Sequence, residues 1–116
     1  MTRPRRHVEG QVVLATRRCL ERRFYTRPDE AMNTIAEYEF ARASSSNNVD
    51  LHAAMVMSNH LHIVMTDVKG RRSDFMRNAM SGIARARNAD LKQRDYFWDE
   101  SQYCDTVLLE CDAQER

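Results

Sequence analysis

The sequence predicts an α+β domain in which four strands and two helices follow one another as β-α-β-β-α-β. Three observations lead to this prediction. Short stretches rich in Val, Ile, Leu and Met alternate with longer stretches in which apolar residues recur every three or four positions. A serine followed by an asparagine separates two of the short stretches and indicates a tight hairpin. The chain of 116 residues is long enough for one such domain and too short for two.

The first strand and the first helix are indicated by composition. Residues 8–19 combine β-branched side chains with one glycine, which is typical of a strand. Pro28 fits the first turn of a helix, where no amide hydrogen is needed, and the two acidic residues that follow it favour the positive end of that helix. The serine- and asparagine-rich tract 43–48 is predicted to connect this helix to the next strand. One face of the helix continues at three- to four-residue spacing through Ala31, Ile35, Tyr38, Ala41 and Arg42.

The following segment supplies a hairpin, a second helix and a last strand. Residues 49–57 and 60–68 are predicted strands joined by a turn at residues 58–59. Ser73 is the predicted N-cap of the second helix, and residues 103–109 suit a fourth strand. The apolar face of the second helix consists of Phe75, Met76, Ala79, Met80 and Ile83. This order is the split βαβ of a ferredoxin-like sandwich, a four-stranded antiparallel sheet with helices on one face and the other face free.

Charge is distributed unevenly along the chain. Sixteen of the 18 basic residues are arginines, and the net charge of +1 combines two basic blocks with an acidic end. Residues 1–27 and residues 69–94 each carry a net charge of +6, whereas residues 95–116 carry −6. Arginine-rich blocks indicate a polyanion partner such as nucleic acid, because guanidinium groups match phosphate oxygens. Ordinary solvated charge is the alternative interpretation.

Composition also excludes several classes of protein. No apolar run approaches the roughly 18 residues that a membrane span needs, and the arginine-rich beginning lacks the apolar region of a signal peptide, so we expect none. The three cysteines, Cys19, Cys104 and Cys111, have no metal-type spacing, which indicates reduced thiols. We therefore expect a cytoplasmic protein without a membrane partner.

The most informative residues are two histidines at the start of the third strand. Because side chains alternate along a strand, His60 and His62 share one face while Leu61 points to the other. Imidazoles about 7 Å apart along a strand can converge on one divalent metal ion, and imidazole suits Mn better than Mg. Two histidines need at least one further ligand, plus water or substrate. The alternative is a pair of sheet histidines that are hydrogen-bonded to their neighbours. His52, across the hairpin, is predicted to be a surface residue or to support the site.

The hairpin resembles the hallmark of the HUH-type single-tyrosine transposases, especially their REP-associated branch, in its sequence MVMSNHLHIVMTD. In that hallmark a Met-x-Asn-His-x-His-hydrophobic stretch carries two metal-ligating histidines. Three further stretches resemble the family in the same order: RRCLERRFYTRPDEA, FMRNAMSGIARARN and FWDESQYCDTVLL. The resemblance implies a transposase of a mobile element that cleaves and rejoins single-stranded or hairpin DNA through a 5′-phosphotyrosine. It also implies a divalent metal, Mg or Mn, on His60 and His62.

The nucleophile is where this sequence departs from the family. In relatives the tyrosine lies on a helix after the fourth strand, in a Tyr-x-x-x-Asn or Tyr-x-x-x-Gln pattern that also supplies the third ligand. After Leu109 the sequence reads ECDAQER, and no tyrosine follows Tyr103. The resemblance therefore predicts a nucleophile beyond residue 116, and a chain that binds DNA and metal without cleaving DNA. Tyr96, with Glu100 four residues later, is the internal candidate; the alternative for Tyr96 is packing with its aromatic neighbours.

DNA is the partner that the resemblance implies, in single-stranded or hairpin form, and some relatives act as homodimers. Tyr96 and Trp98 are candidates for stacking on unpaired bases. Two alternatives stay open: a non-catalytic nucleic-acid-binding module on the same fold, and a small metal-binding or interaction domain. The candidate phosphate contacts are Arg17, Arg18, Arg22, Arg23, Arg71, Arg72, Arg77, Arg85 and Arg87.

Overall fold

The strands and helices follow one another in the predicted order. The computed structural model describes residues 9–94, 96–99 and 103–109. Within these ranges the elements are β1 (Gln11–Arg18), α1 (Glu30–Asn47), β2 (Val49–Val56), β3 (His60–Asp67), α2 (Arg72–Leu91) and β4 (Cys104–Leu109). A short 3₁₀ turn, Leu20–Arg22, follows β1. Neither α1 nor α2 is long and apolar enough to cross a membrane.

The four strands form one antiparallel sheet in the order β2-β3-β1-β4. This is the order of a ferredoxin-like sandwich, as predicted. The central strands β1 and β3 pair in a register that places Thr16 opposite His62 and Arg18 opposite His60. The end of β1 therefore lies beside the two histidines at the beginning of β3.

The core lies between one face of the sheet and the two helices. From the sheet it contains Val13, Ala15, Leu61, Ile63 and Met65, all fully buried. From α2 it contains the five predicted side chains, Phe75, Met76, Ala79, Met80 and Ile83, which confirms that face of the helix. The alternate residues of β3, including both histidines, are half-buried on the opposite face. We call that opposite face, which carries the two histidines, the open face of the sheet.

The buried face of α1 is rotated from the predicted one by about one residue. The structure buries Met32, Ala36, Phe40 and Ala43, whereas Tyr38 of the predicted face is 64% exposed. A step of one residue turns a helix by roughly 100°, so the two faces are distinct. Phe40 explains the rotation, because its ring stacks on Phe75 of α2 with 6.5 Å between the centroids. A phenyl ring can be buried without a hydrogen-bond partner, whereas the Tyr38 hydroxyl would need one.

The beginning of α1 lies slightly later than predicted. Asp29 is the N-cap, and its carboxylate accepts a hydrogen bond of 2.8 Å from the amide of Met32. Pro28 therefore precedes the first turn instead of lying in it. Glu30 is the first helical residue, so both acidic side chains do lie at the positive end of the helix, as predicted.

The polar tract at the end of α1 is helical rather than a connection. The helix includes residues 43–47, and it ends at Asn48, whose backbone adopts the left-handed region with φ of 54°. The hydroxyls of Ser44 and Ser46 donate to carbonyl oxygens of the preceding turn, so these polar side chains are satisfied without breaking the helix. The connection to β2 is consequently reduced to Asn48 itself.

α2 begins without the predicted serine cap. Its first residue is Arg72, and the carboxylate of Asp67 accepts hydrogen bonds from the amides of Arg71 at 2.7 Å and Arg72 at 3.2 Å. This buried carboxylate at the end of β3 does what an N-cap side chain does. Ser73 is inside the helix, where its hydroxyl lies 3.1 Å from the hydroxyl of Tyr103.

α1 and α2 approach each other closely at Gly82. A Cβ added there would overlap the carboxylate of Glu39 and come within 2.9 Å of Arg42 Nη2. We expect Gly82→Ala to lower the free energy of unfolding by about 1–2 kcal/mol, because overpacking outweighs the higher helix propensity of alanine. Urea denaturation followed by circular dichroism measures the change.

The control for this prediction removes the overlapping side chain. In a Glu39→Ala background the remaining neighbour of the new Cβ is Arg42 Nη2, the end of a flexible side chain that has lost its Glu39 partner and can move away. The same Gly82→Ala substitution should then be neutral or stabilising by up to about 1 kcal/mol, the propensity gain of alanine over glycine. Equal destabilisation in both backgrounds would contradict the role assigned to Glu39.

Candidate metal centre and nucleic-acid interface

Two histidines lie side by side on the open face of the sheet. Their ring centroids are 4.9 Å apart, and the ring planes are nearly perpendicular, at 85°. β3 places them there because Leu61 and Ile63, which alternate with them, are fully buried in the core. A slip of one residue in the register would bury the imidazoles and expose these apolar side chains, so the core fixes the face on which His60 and His62 lie.

Each imidazole is oriented by a hydrogen bond at Nδ1. His62 Nδ1 lies 2.8 Å from the hydroxyl of Thr16 on β1. His60 Nδ1 donates to the side-chain oxygen of Asn59 at 2.8 Å. With Nδ1 engaged in both rings, Nε2 is the nitrogen left to bind a metal ion. Burial lowers the pKa of His60, and the nearby His62 and Arg18 lower it further, which favours the neutral ring.

The two imidazoles fit a divalent metal as a pair of nitrogen ligands. Among residues 9–94, 96–99 and 103–109, no group of three or more His, Cys, Asp or Glu side chains is placed to hold a metal ion. A complete site would thus need water, substrate or other residues as further ligands. His52 does not join the pair, because it is exposed on β2 and its Nε2 lies 2.6 Å from the hydroxyl of Thr66.

An open pocket of about 400 Å³ lies beside His60 at the end of the sheet. It is lined by Arg18, Cys19, Arg22, Asn59, His60 and Asp99. Arg18 is the cross-strand neighbour of His60 and shares the open face with it. Arg22 comes from the 3₁₀ turn, where its backbone lies in the left-handed region with φ of 59°. The pocket therefore combines two guanidinium groups with one of the candidate metal ligands.

The cysteine in this pocket is a structural residue. Cys19 is 1% exposed, and its sulfur lies 3.6 Å from the hydroxyl of Thr26. Burial raises the pKa of the Cys19 thiol, so the protonated form is favoured at neutral pH. A protonated, hydrogen-bonded thiol is a poor metal ligand and a poor nucleophile.

The loop 96–99 contributes Asp99 to the lining of the pocket. The amide of Leu20 donates to the carbonyl oxygen of Phe97 at 3.0 Å, and the amide of Asp99 donates to the carbonyl oxygen of Arg18 at 2.9 Å. These backbone hydrogen bonds attach the loop to the end of β1. They bring Asp99 to the pocket, although the two sides of the pocket are far apart in sequence.

The nine predicted arginines do not form one surface. Arg18 and Arg22 line the pocket, whereas the guanidinium carbon of Arg17 lies 5.7 Å from the centroid of the Trp98 ring. Four others are engaged elsewhere: Arg23 with Glu21 and Tyr25, Arg71 and Arg77 with Asp74, and Arg85 with Ser81. Arg71 immediately precedes α2, and Arg77 and Arg85 lie within it. The structure therefore does not bring these three arginines to the histidines.

Arg72 and Arg87 lie inside the protein, with exposed fractions of 3% and 2%. Arg72 contacts Gln11 and Asp105 at 2.9 Å each, and Asp67 at 3.8 Å. Arg87 contacts the carbonyl oxygens of Tyr25 and Arg27 and the carboxylates of Asp29 and Asp90. Because burial and these internal partners keep both guanidinium groups from DNA, we assign Arg72 and Arg87 to the stability of the fold instead of to phosphate contacts.

The four tyrosines differ sharply in exposure. Tyr25 and Tyr103 are buried and hydrogen-bonded, and Tyr38 lies on the outer side of α1. Tyr96 is 86% exposed and lies in the loop 96–99, outside any helix. Glu100, its predicted partner at i+4, and residues 110–116, which follow the fourth strand, lie outside the described residues.

Two residues of the site were missed at the sequence level. Thr16 orients His62, and Asp99 lines the pocket. The signal for Thr16 is the predicted topology itself, because the central strands of a ferredoxin-like sheet are the first and the third. Pairing them antiparallel places the end of the first strand beside the histidines. Asp99 carries no such signal, because its loop is placed by backbone hydrogen bonds that the sequence does not specify.

Comparison with solved structures agrees with this architecture. A REP-associated tyrosine transposase bound to a REP hairpin superposes with a TM-score of 0.64 at 13% identity, over 99% of this chain and 67% of that one. A protein of Deinococcus radiodurans R1 described as a candidate transposase gives a TM-score of 0.68 at 18% identity, over 99% and 92%. No model of a protein family matches the sequence, and no curated protein matches it significantly. The chain therefore has a tyrosine transposase-like fold.

Proposed function

We propose that this chain is a transposase-type domain that holds single-stranded or hairpin DNA on the open face of its sheet and binds a divalent metal, Mn or Mg, through His60 and His62. One observation carries the proposal. The two imidazoles, each oriented at Nδ1, lie beside a pocket with two arginines in a fold shared with transposases. The neighbour that is bound to a REP hairpin supports DNA as the partner.

The residues of the site have separate roles in this proposal. A metal bound there supplies a Lewis acid that polarises and positions a phosphate. Thr16 and Asn59 hold the imidazoles in place, and Arg18 and Arg22 offer charge-assisted hydrogen bonds to the phosphates of the strand.

The reaction that the resemblance implies is a transesterification. A tyrosine oxygen attacks the scissile phosphorus and gives up its proton, the bond to the 3′ oxygen breaks, and a 5′-phosphotyrosine and a free 3′-OH result. Attack by a 3′-OH on the same phosphorus reverses the step and joins the strand to a new end. Tyr96 is the internal candidate for the nucleophile, and we otherwise expect that group outside the described residues.

Metal binding tests the proposal directly. We expect the His60→Ala/His62→Ala variant to bind Mn²⁺ at least about tenfold more weakly than the unaltered chain, because both nitrogen ligands are lost. Electron paramagnetic resonance of free Mn²⁺ measures the affinity. The matched control is His52→Ala, a histidine of the same sheet that bonds Thr66 and should leave Mn²⁺ binding unchanged. Equal Mn²⁺ affinity in the double variant and the unaltered chain would sink the metal assignment.

A non-catalytic nucleic-acid-binding module is the second candidate. The placement of the tyrosines favours it, because a nucleophile must reach the phosphate. Two of the four tyrosines are buried, and a third lies on the outer side of α1. Hairpin DNA binding that weakens with salt and persists in the double histidine variant, without cleavage in Mn²⁺, would favour this module. Cleavage with a trapped phosphotyrosine would instead favour the enzyme.

A further inference from the structure

Two methionines lie across the hairpin from the two histidines. In the register of β2 against β3, Met55 is the partner of His62. The amide of Met57 donates to the carbonyl oxygen of His60 at 2.8 Å, so these two residues are opposite neighbours beside the turn. Directly opposite residues of an antiparallel pair have Cβ atoms about 4.5–5.5 Å apart on one face of the sheet. The hairpin therefore pairs each imidazole with one thioether.

Both methionines belong to the open face of the sheet. Val56, which lies between them in the sequence, packs against the core, and alternation along the strand turns its two neighbours to the other face. Met55 is 55% exposed and Met57 is 36% exposed. The other methionines of the described ranges are all buried: Met32, Met65, Met76 and Met80. Since methionine is usually a core residue, packing does not explain why these two are exposed together.

The side chains of this hairpin form a ligand set for a soft metal ion. Thioether sulfur is a soft ligand that selects monovalent copper, and imidazole also suits copper. Methionine has three rotatable bonds and a polarizable sulfur, so each side chain can turn its sulfur toward the imidazole opposite. Within the described ranges, no carboxylate, thiol or third imidazole joins His60 and His62 in a metal-binding group. Two thioethers from the facing strand supply further ligands that this chain offers to the pair.

The same set distinguishes between metals. Mn²⁺ and Mg²⁺ are suited to oxygen ligands, and a thioether adds little to their binding. The two imidazoles are common to both kinds of site. Removing the sulfur atoms should therefore change the affinity for copper and spare the affinity for manganese.

We propose that Met55 and Met57 join His60 and His62 in a site for monovalent copper, Cu⁺. The inference rests on the metal-ligating role of the histidines in the proposed function, and it adds a metal of different chemistry. Because both metals use the same imidazoles, Cu⁺ bound on the hairpin excludes the divalent metal.

Competition with the chelator bathocuproine disulfonate, under anaerobic and reducing conditions, measures the Cu⁺ affinity of the whole chain. All variants carry Cys104→Ser and Cys111→Ser, because thiolates also bind Cu⁺ and Cys104 is exposed. In this background Met55→Leu/Met57→Leu should weaken Cu⁺ binding at least about tenfold, since the loss of even a supporting residue commonly has that effect on a metal site. The Mn²⁺ affinity of the same variant should change much less.

Displacement of Mn²⁺ gives a second measurement. Cu⁺ has no unpaired electron, so the electron paramagnetic resonance signal of free Mn²⁺ reports the competition alone. Adding Cu⁺ should release bound Mn²⁺ from the background chain, and the double methionine variant should release less at the same Cu⁺ concentration.

The matched control is Met65→Leu on β3. Met65 is fully buried on the face opposite the histidines, and leucine nearly conserves its volume. Its replacement should leave the Cu⁺ affinity at that of the background chain. An equal loss of Cu⁺ binding in Met65→Leu would mean that the effect comes from the fold and not from the exposed sulfur atoms.

The outcomes separate the copper site from the proposed function. If His60→Ala/His62→Ala loses Mn²⁺ binding while the background chain binds no Cu⁺, or binds it as tightly without Met55 and Met57, the copper site is refuted and the histidine site stands. If the double histidine variant binds both metals like the background chain, the metal assignment of the proposed function fails and the copper site with it. A loss of Cu⁺ binding in the double methionine variant, with intact binding in Met65→Leu, supports the site.

Discussion

Replacing Arg87 with methionine should lower the free energy of unfolding by about 2–4 kcal/mol, because one buried guanidinium joins several parts of the chain. Its Nε donates to the carbonyl oxygen of Tyr25 at 2.9 Å, and Nη2 reaches the carbonyl oxygen of Arg27 at 3.3 Å. The same side chain contacts the carboxylates of Asp29 at 3.0 Å and Asp90 at 2.7 Å. Methionine keeps much of the volume and leaves these acceptors without their donor.

The control for this prediction lies two residues away on the same helix. Arg85 is exposed and bonds only the hydroxyl of Ser81 among the described side chains, so Arg85→Met should change the stability by less than about 0.5 kcal/mol. Urea denaturation followed by circular dichroism measures both variants. Similar stability losses in the two would contradict the view that Arg87 fastens α2 to the segment before α1.

The same contact gives a pH dependence with a definite sign. The hydrogen bond from Arg87 holds the pKa of Asp29 below its usual 3.8, and the bond from the Met32 amide adds to this. A lowered pKa in the folded state means that the stabilisation is complete above the usual pKa and is lost as the pH falls below it. In Arg87→Met the pKa of Asp29 should move upward, and the decline of stability below about pH 4 should become shallower.

Arg87 also shows what the sequence could and could not predict. Periodicity identified the apolar face of α2 and the face of β3 that carries the histidines, because both depend only on local geometry. Nothing in the sequence distinguishes Arg87 from Arg85, since arginine is usually exposed and its burial depends on carbonyl groups that the tertiary fold brings to it. The prediction that Arg87 contacts DNA rested on its place in an arginine-rich block, which does not reveal that its side chain is buried.

Long-range packing explains the other differences as well. The rotation of α1 follows from the stacking of Phe40 on Phe75, and these residues are 35 positions apart in the chain. The prediction instead relied on the spacing of apolar residues within α1 alone, and it therefore placed Tyr38 on the buried face. Likewise, local capping rules selected Ser73 as the N-cap of α2. In the structure the carboxylate of Asp67, at the end of the preceding strand, caps this helix instead.

Thr16→Val should weaken Mn²⁺ binding about 10- to 100-fold, although Thr16 would not touch the metal. Its hydroxyl lies 2.8 Å from Nδ1 of His62 and fixes the ring so that Nε2 is presented to the open face. Valine has nearly the same shape and suits a strand, so the register of β1 against β3 should persist. Without the hydrogen bond, His62 gains alternative ring orientations, and binding a metal must then restrict them.

The matched control is Thr106→Val on the neighbouring strand β4. Thr106 is exposed opposite Leu14 and away from both imidazoles in the register, so its replacement should leave the Mn²⁺ affinity unchanged. Electron paramagnetic resonance of free Mn²⁺ gives both affinities, and thermal unfolding checks that the folds are equally stable. If Thr16→Val bound Mn²⁺ as tightly as the unaltered chain, the orientation of His62 would have to come from its packing beside His60. A selective loss in Thr16→Val would show that β1 contributes to a metal site whose two histidine ligands lie on β3, a dependence that follows from the pairing of the two central strands.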